Sequence, residues 1–169
     1  QYSPFSGCLY RKTGERTNRS METRFIGCHL STSDGYASMG RRILAMGGNT
    51  FQYFTKNPRG ASRKTPDPDD VAELLRIIRE SGMAMPVAHA PYTYNPCAAR
   101  EDVRAYTKEV MAEELLFLET LPGSLYNFHP GCHVGQGTEA GIRLIAGRLN
   151  EVLHPGMRTT VLLETMAGK

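Results

Sequence analysis

This sequence alternates short β-prone segments with longer segments of helical periodicity, and that alternation constrains its fold more than any other feature. β-like runs begin near residues 25, 50, 84, 124 and 159, and each of the first four is followed by a segment with apolar residues at helical spacing. Two parallel neighbouring strands need a crossover connection, and a right-handed helical crossover is strongly preferred. The sequence therefore predicts an α/β protein built on a parallel sheet.

The predicted elements follow one order, strand and then helix, repeated along the chain. The predicted strands are residues 24–30, 50–54, 83–90, 124–129 and 159–164. The predicted helices are residues 35–47, 68–81, 98–121 and 139–153. Apolar spacing also predicts side chains that face the core, among them Val71 and Leu74 in the second helix, Tyr106 and Val110 in the third, and Ile142 and Ile145 in the fourth.

The spacing between strands narrows the choice of architecture. Strand starts recur every 25 to 40 residues, which fits a doubly wound sheet or a (β/α)8 barrel. No Gly-x-Gly-x-x-Gly follows the first strand, so a dinucleotide-binding fold is disfavoured. We therefore favour a (β/α)8 TIM barrel, of which about the first five strands and four helices are present. Residues 1–23 are predicted to be a disordered leader and residues 24–169 the N-terminal part of the barrel domain.

Composition excludes some classes of protein and leaves others open. The chain has 40% hydrophobic and 22% charged residues, and it has no apolar tract of about 18 residues that could span a membrane. A net charge of +3 permits a polyanionic partner without arguing for one. The four cysteines form no CxxC pair, which disfavours a zinc ribbon or a dense disulfide framework. Without a secretion signal, the expected location is the cytoplasm or the nucleoid.

Four polar side chains lie at or near the C-terminal ends of predicted strands. They are His29, His89, His129 and Glu164. In a parallel α/β fold these ends converge on one rim, so His89, His129 and Glu164 can meet despite their separation in sequence. Two imidazoles and a carboxylate suit Zn²⁺ and related ions and leave a position for water, as in catalytic metal sites. A single such residue is more often structural, but three on successive strands favour a shared site.

Five segments of the chain resemble signature segments of one enzyme family. Three carry the resemblance most clearly, namely HAPY at 89–92, NFHPGCH at 127–133 and LETMAGK at 163–169. Two more are similar, namely IGCHLS at 26–31 and FTKNPR at 54–59. Together they resemble the endonuclease IV family of apurinic/apyrimidinic endonucleases, and they occur in that family's order over about residues 25 to 169, which makes the resemblance specific.

The resemblance implies a xylose isomerase-like TIM barrel with a trinuclear zinc centre, in which Mn²⁺ or Fe could replace Zn²⁺. By matching motifs, His89 and His129 would ligate one ion, and Glu164 would bridge it to a second ion and serve as the catalytic carboxylate. His29 would support these ligands from a second layer. The other ligands come from later strands of the family's barrel, so the chain alone is expected to be inactive.

The resemblance also implies contacts with double-stranded DNA that contains abasic sites. Arg59 matches a residue that enters the base stack at the lesion, and Tyr92 matches one that packs near the flipped-out nucleotide. Lys56 and Asn57 belong to the same polar loop as Arg59 and are expected to contact DNA. A baseless sugar costs little stacking energy to extrude, so a side chain can fill the gap it leaves.

The implied reaction is cleavage of the phosphodiester bond 5′ to an abasic site, which leaves a 3′-hydroxyl and a 5′-deoxyribose phosphate in base excision repair. The protein is expected to act as a monomer without a membrane partner. A sugar isomerase or epimerase of the same barrel superfamily and a non-catalytic DNA-binding fragment remain alternatives. His154 is expected to be a turn residue, and Cys28 and Cys132 are expected to be small buried groups.

Overall fold

The computed structural model describes residues 24–56, 65–121 and 123–166, in which five strands alternate with four helices. The elements are β1 Gly27–His29, α1 Tyr36–Ala45, β2 Thr50–Phe54, α2 Pro68–Ser81, β3 Val87–His89, α3 Glu101–Leu118, β4 Leu125–Phe128, α4 Thr138–Val152 and β5 Thr160–Leu163. The predicted alternation is confirmed. The predicted leader, residues 1–23, lies outside the described residues. In the described ranges, no helix is long and apolar enough to cross a bilayer.

The five strands form one parallel sheet in the order β1-β2-β3-β4-β5. Each strand therefore pairs with the next strand in sequence, whereas the order of a doubly wound sheet reverses at a switch point. Consecutive parallel pairing is the arrangement of a (β/α)8 barrel. Across the described part of the chain, β1 and β5 each pair on one side only.

The core lies between one face of the sheet and the helices. In β2 and β4 buried and partly exposed residues alternate, as expected where successive side chains point to opposite faces. Phe51 and Tyr53 from β2 and Tyr126 and Phe128 from β4 are buried on the helix side. The residues between them, such as Asn127, therefore face the other side of the sheet.

The two N-terminal helices begin on carboxylates. The side chain of Asp67 accepts a hydrogen bond from the backbone N–H of Asp69 at 3.0 Å, which caps α2 at its N-terminus. The carboxylate of Asp70 accepts hydrogen bonds from the N–H groups of Tyr36 at 2.5 Å and Ala37 at 3.1 Å. A carboxylate of α2 thus accepts hydrogen bonds from the free N–H groups at the start of α1. Its negative charge also interacts favourably with the positive end of the α1 dipole.

Several predicted bounds and faces are wrong in detail. The first and third strands are much shorter than predicted, and the helix predicted at 98–121 begins at Glu101 and ends at Leu118. Tyr106 is 44% exposed, because the neighbouring Thr107 takes the inward position and donates to the carbonyl of Val103. Ile142 is 56% exposed, because the buried edge of α4 is narrow and is formed by Gly141 and Val152.

The expectation for the two cysteines is also wrong in part. Cys28 is exposed, since it lies on β1, a strand with exposed residues on both faces. Cys132 is only partly buried.

A buried carboxylate on α3 ties that helix to the sheet. Glu114 is fully buried and accepts hydrogen bonds from the hydroxyl groups of Thr55, just after β2, and Tyr126, in β4. Burial raises the pKa of Glu114, and the hydrogen bonds from Thr55 and Tyr126 oppose that rise. The contacts fix the end of β2 against α3.

A second carboxylate ties the end of α3 to the start of β5. Glu119 accepts hydrogen bonds from the backbone N–H of Arg158 at 3.1 Å, and from the backbone N–H of Thr159 at 2.9 Å and its hydroxyl at 2.7 Å. The hydrogen bond from the Thr159 side chain and that from the Arg158 N–H lower the pKa of Glu119 to about 2. The ionised carboxylate is therefore the form that the fold stabilises.

Replacing Glu119 with Gln should lower the free energy of unfolding at pH 7 by about 1 kcal/mol, since hydrogen bonds to a charged acceptor are lost. The folded pKa of about 2 lies below an unfolded value of roughly 4.3, so the ionised carboxylate stabilises the fold fully above that value. The difference between the two chains should shrink as the pH falls from about 4.5 towards 2. Urea denaturation of both chains between pH 7 and pH 3 measures it.

Glu109→Gln, at an exposed position on the same helix, is the matched control and should change stability little at any pH. A Glu119→Gln chain as stable as the unmodified chain at pH 7 would show that this contact does not hold β5 in place.

Candidate metal centre

Three side chains at the ends of β3, β4 and β5 come together. His89, His129 and Glu164 each offer a ligand atom, and these atoms all lie within 4.8 Å of one another. His89 Nε2 lies 3.0 Å from Glu164 Oε2, and His129 Nε2 lies 3.9 Å from Glu164 Oε1. Residues 40 and 35 positions apart in the chain thus form one cluster.

The register of the strands produces this convergence. Phe128 of β4 pairs with Leu163 of β5, and the N–H of Glu164 donates to the carbonyl of Phe128 at 3.0 Å. His129 and Glu164 therefore follow their strands at the same level. On the other side, His89 pairs with Asn127 of β4.

The hydrogen bonding of His89 leaves its Nε2 facing the carboxylate. His89 is 2% exposed, and its Nδ1 lies 2.7 Å from the carbonyl oxygen of Ala90, which can only accept. Nδ1 therefore carries a proton. Nε2 faces Glu164 Oε2 either as a hydrogen-bond donor, when it also carries a proton, or as a lone pair that can ligate a cation. Two acceptors at that distance repel unless a proton or a metal cation lies between them. Metal-bound histidines commonly donate their other N–H to a carbonyl in this way.

His129 contributes the second imidazole. Its ring centroid lies 5.2 Å from that of His89. Its Nδ1 is buried and finds no hydrogen-bond partner among the described residues. Buried polar atoms are usually matched by a protein group, an ordered water or an ion, so this nitrogen marks a place where a further group fits.

Glu164 is held ionised by its neighbours. The hydrogen bond with His89 lowers the pKa of Glu164 most, and the hydrogen bond from the Asn127 amide, at 2.5 Å, and the charge of His129 lower it further. An ionised carboxylate is the form that ligates a divalent cation. The donor set of two imidazole nitrogens and one carboxylate can therefore hold Zn²⁺, Mn²⁺ or Fe.

Asn127 is a site residue to which the sequence analysis assigned no role. It lies in β4 on the face opposite Tyr126 and Phe128, and its amide orients Glu164. The available signal was a polar amide inside an otherwise apolar strand, two positions before His129.

Two aromatic rings form one wall of the site. Phe54, at the end of β2, lies edge-on to His89 with ring centroids 5.5 Å apart, and 5.2 Å from Tyr92. The Tyr92 ring lies 5.7 Å from that of His89 and 5.8 Å from that of His129, yet Tyr92 is 66% exposed. An accessible aromatic ring therefore borders the three candidate ligands.

His29 lies beyond this wall and is not part of the group of three. Its ring lies 4.4 Å from the ring of Phe54, and its Nδ1 lies 3.4 Å from the amide nitrogen of Gln52. Burial lowers the pKa of His29, and the nearby His89 lowers it further. The Phe54 ring thus contacts both His29 and His89. Support of the metal ligands by His29 stays a prediction.

Of the residues predicted to contact DNA from the loop after β2, the structure describes only Lys56. Lys56 is 8% exposed, and its ammonium donates to Glu113 at 2.8 Å. This ion pair gives Lys56 a structural partner, and its contact with DNA stays a prediction. Asn57 and Arg59 lie outside the described residues.

Replacing Asn127 with Ala should weaken binding of zinc to the chain by roughly 10- to 100-fold, because the residue that orients Glu164 is lost. Competition between the chain and a chromophoric chelator measures that affinity. Asn150→Ala, which removes an exposed amide on α4, is the matched control and should bind zinc like the unmodified chain. Equal affinity in the Asn127→Ala chain would mean that Asn127 does not position a metal ligand.

The chain is similar to proteins of known family along most of its length. Residues 41–169 match a family model described as xylose isomerase-like TIM barrel. Over 145 residues the chain is 55% identical to the "Probable endonuclease 4" of Akkermansia muciniphila, an alignment that covers 86% of this chain and 52% of that protein. The chain thus spans about half the length of the curated relatives it matches.

The chain also resembles solved structures of TIM-barrel proteins. The structure of endonuclease IV from Thermus thermophilus matches with a TM-score of 0.69 and 26% identity, over 85% of this chain and 52% of that one. A D-tagatose 3-epimerase-like protein matches with a TM-score of 0.55 and 16% identity, over 83% of this chain and 53% of that one, a likeness of fold alone. The chain belongs to the xylose isomerase-like TIM-barrel family, and within that family its relatives are endonuclease IV proteins.

Proposed function

We propose that this chain supplies the first part of the active site of a zinc-dependent endonuclease. The proposed enzyme cuts double-stranded DNA 5′ to abasic sites, leaving a 3′-hydroxyl and a 5′-deoxyribose phosphate, in base excision repair. The observation that carries the proposal is the convergence of His89, His129 and Glu164 in a chain 55% identical to a probable endonuclease 4. Because the chain spans about half of that relative, the complete activity needs further strands.

The chemistry of the substrate accounts for the residues in the group. A phosphodiester is anionic, so it repels nucleophiles, and its alkoxide is a poor leaving group. Divalent ions, when bound, neutralise the phosphate charge, activate a water and stabilise the departing oxygen. In this proposal His89 and His129 would hold one ion. Glu164, kept ionised by His89 and Asn127, would be the third ligand, and by the family resemblance it would also serve a second ion.

Tyr92 supports duplex DNA as the substrate. Its ring is 66% exposed beside both histidines, so it can pack against a nucleotide whose phosphate lies at the metal. Arg59 and Asn57 are proposed to contact the duplex from the loop that follows β2. An extruded abasic nucleotide costs little stacking energy, which lets the enzyme act without reading sequence.

A sugar epimerase is the second candidate, since such proteins share the fold. A monosaccharide would be enclosed by its site, whereas the exposed Tyr92 ring lies where a larger substrate could reach it. The basic residues in the sequence at 56–64 favour an anionic substrate. A non-catalytic DNA-binding fragment would need no convergence of metal ligands.

The test of the reaction uses a chimera in which this chain is joined to the C-terminal half of the Akkermansia muciniphila relative. Its His129→Ala variant should incise a labelled duplex with one abasic site orders of magnitude more slowly than the parent chimera, because a metal ligand is lost. His154→Ala, an exposed histidine outside the cluster, should leave incision unchanged.

Equal incision by the two variants would refute the assignment of His129. A chimera that epimerises a ketose and does not cut the duplex would favour the second candidate. Activity that survives exhaustive chelation would exclude the metal mechanism.

Replacing Tyr92 with Ala in the same chimera should raise KM for the abasic duplex by about 10-fold or more, because the exposed ring would lose its apolar contact with the sugar, and burying such a side chain is worth about 1.5 to 3 kcal/mol. Tyr106→Ala is the matched control, since Tyr106 is an exposed tyrosine on α3 away from the cluster. A KM equal to that of the control would remove Tyr92 from the DNA interface.

A further inference from the structure

Two cysteines lie in the loops that border the candidate metal centre. Cys97 belongs to the β3–α3 loop, residues 90–100, and Cys132 belongs to the β4–α4 loop, residues 129–137. Both are free thiols, and neither has a part in the proposed reaction.

A single side chain bridges the two cysteines. Asn95 Oδ1 lies 3.3 Å from the sulfur of Cys97 and accepts a hydrogen bond from the backbone N–H of Cys132 at 3.2 Å. These two distances to one atom limit the separation of the Cys97 sulfur and the Cys132 nitrogen to about 6.5 Å. The Cys97 sulfur also lies 3.5 Å from the carbonyl oxygen of Pro130. It therefore rests against the backbone segment that carries Cys132.

Further contacts hold the two loops at this spacing. The amide of Asn95 donates to the carbonyl of Cys132 at 3.0 Å, and the amide of Gln136 donates to the carbonyl of Cys97 at 3.0 Å. Gly131 has φ of +90°, and a Cβ there would lie 2.2 Å from Asn95 Oδ1. The two loops are thus already packed against each other, with the Cys97 sulfur next to the backbone of residues 130–132.

The two thiols differ in access to solvent. Cys97 is 1% exposed, and burial raises the pKa of its thiol, with a further rise from the nearby Cys132. Cys132 is only partly buried. An oxidant from solvent therefore meets Cys132 first, and Cys97 lies behind it as the resolving thiol.

We propose that Cys97 and Cys132 form a reversible intramolecular disulfide when the protein meets a peroxide. In the first step the Cys132 thiolate attacks one peroxide oxygen, the O–O bond breaks, and Cys132 becomes a sulfenic acid as the peroxide is reduced to water. In the second step the Cys97 thiol attacks the Cys132 sulfur, the S–OH bond breaks, and the hydroxide leaves with the proton of the Cys97 thiol as a second water while the S–S bond forms. A dithiol reductant reverses the reaction by thiol–disulfide exchange.

The crosslink would act on the elements that surround the candidate ligands. The β3–α3 loop carries Tyr92, and the β4–α4 loop begins at His129. A covalent bond between Cys97 and Cys132 would fix the spacing of these loops, which hydrogen bonds and close packing hold in the reduced protein.

The test is oxidation of the folded chain with a small molar excess of hydrogen peroxide, followed by alkylation of remaining thiols, digestion without reductant and mass spectrometry. The expected product is a Cys97–Cys132 peptide pair that dithiothreitol releases. It should form at least several-fold faster than any pair that contains Cys28. Oxidation of the chain in urea should remove this preference, because pairing then spreads over the four cysteines of the sequence.

Two variants distinguish specific pairing of Cys97 with Cys132 from unspecific oxidation of cysteines. Cys28→Ser, at an exposed position, should leave the rate of the Cys97–Cys132 link unchanged. In Cys132→Ser, Cys97 should stay a free thiol that is alkylated after unfolding. Recovery of both Cys97 and Cys132 as unlinked residues from the oxidised unmodified chain would overturn the proposal. A disulfide between Cys28 and either of these cysteines that forms faster than the Cys97–Cys132 disulfide would also overturn it.

Discussion

The parallel register of β3, β4 and β5 is the constraint on which the candidate metal centre depends. Phe128 and Leu163 pair across β4 and β5, so the residues that follow them, His129 and Glu164, emerge side by side. A slip of one residue would turn one of these side chains to the opposite face of the sheet. The ligand geometry is therefore a consequence of strand pairing and needs no special loop conformation.

Helix α3 holds this register from outside the sheet. Glu114 bonds to Thr55 and Tyr126, and Glu119 bonds to the segment that leads into β5. These carboxylates connect one helix to three strands, whereas the opposite face of the sheet carries the chemistry. The division agrees with the general arrangement of parallel barrels, in which helices stabilise the fold and strand ends carry function.

The strand ends were predictable from sequence because the alternation of strands and helices fixes which residues follow each strand. That rule alone predicts that three side chains lie on one rim of the sheet, namely His89, His129 and Glu164. The exposure of Tyr106 and Ile142 was not predictable, since periodicity fixes the spacing of a buried face but leaves open which neighbour fills it. The pairing of Lys56 with Glu113 and the bond from Asn127 to Glu164 join residues far apart in sequence, and only the packed structure brings them together.

We propose that two imidazoles and a carboxylate from three successive strands bind one divalent ion. X-ray absorption spectroscopy of the zinc-loaded chain tests it most directly. We expect one zinc per chain with two imidazole nitrogens at about 2.0 to 2.1 Å and a carboxylate oxygen in the same coordination shell. Zinc bound without histidine ligands, or an unchanged spectrum in the His89→Ala chain, would contradict it.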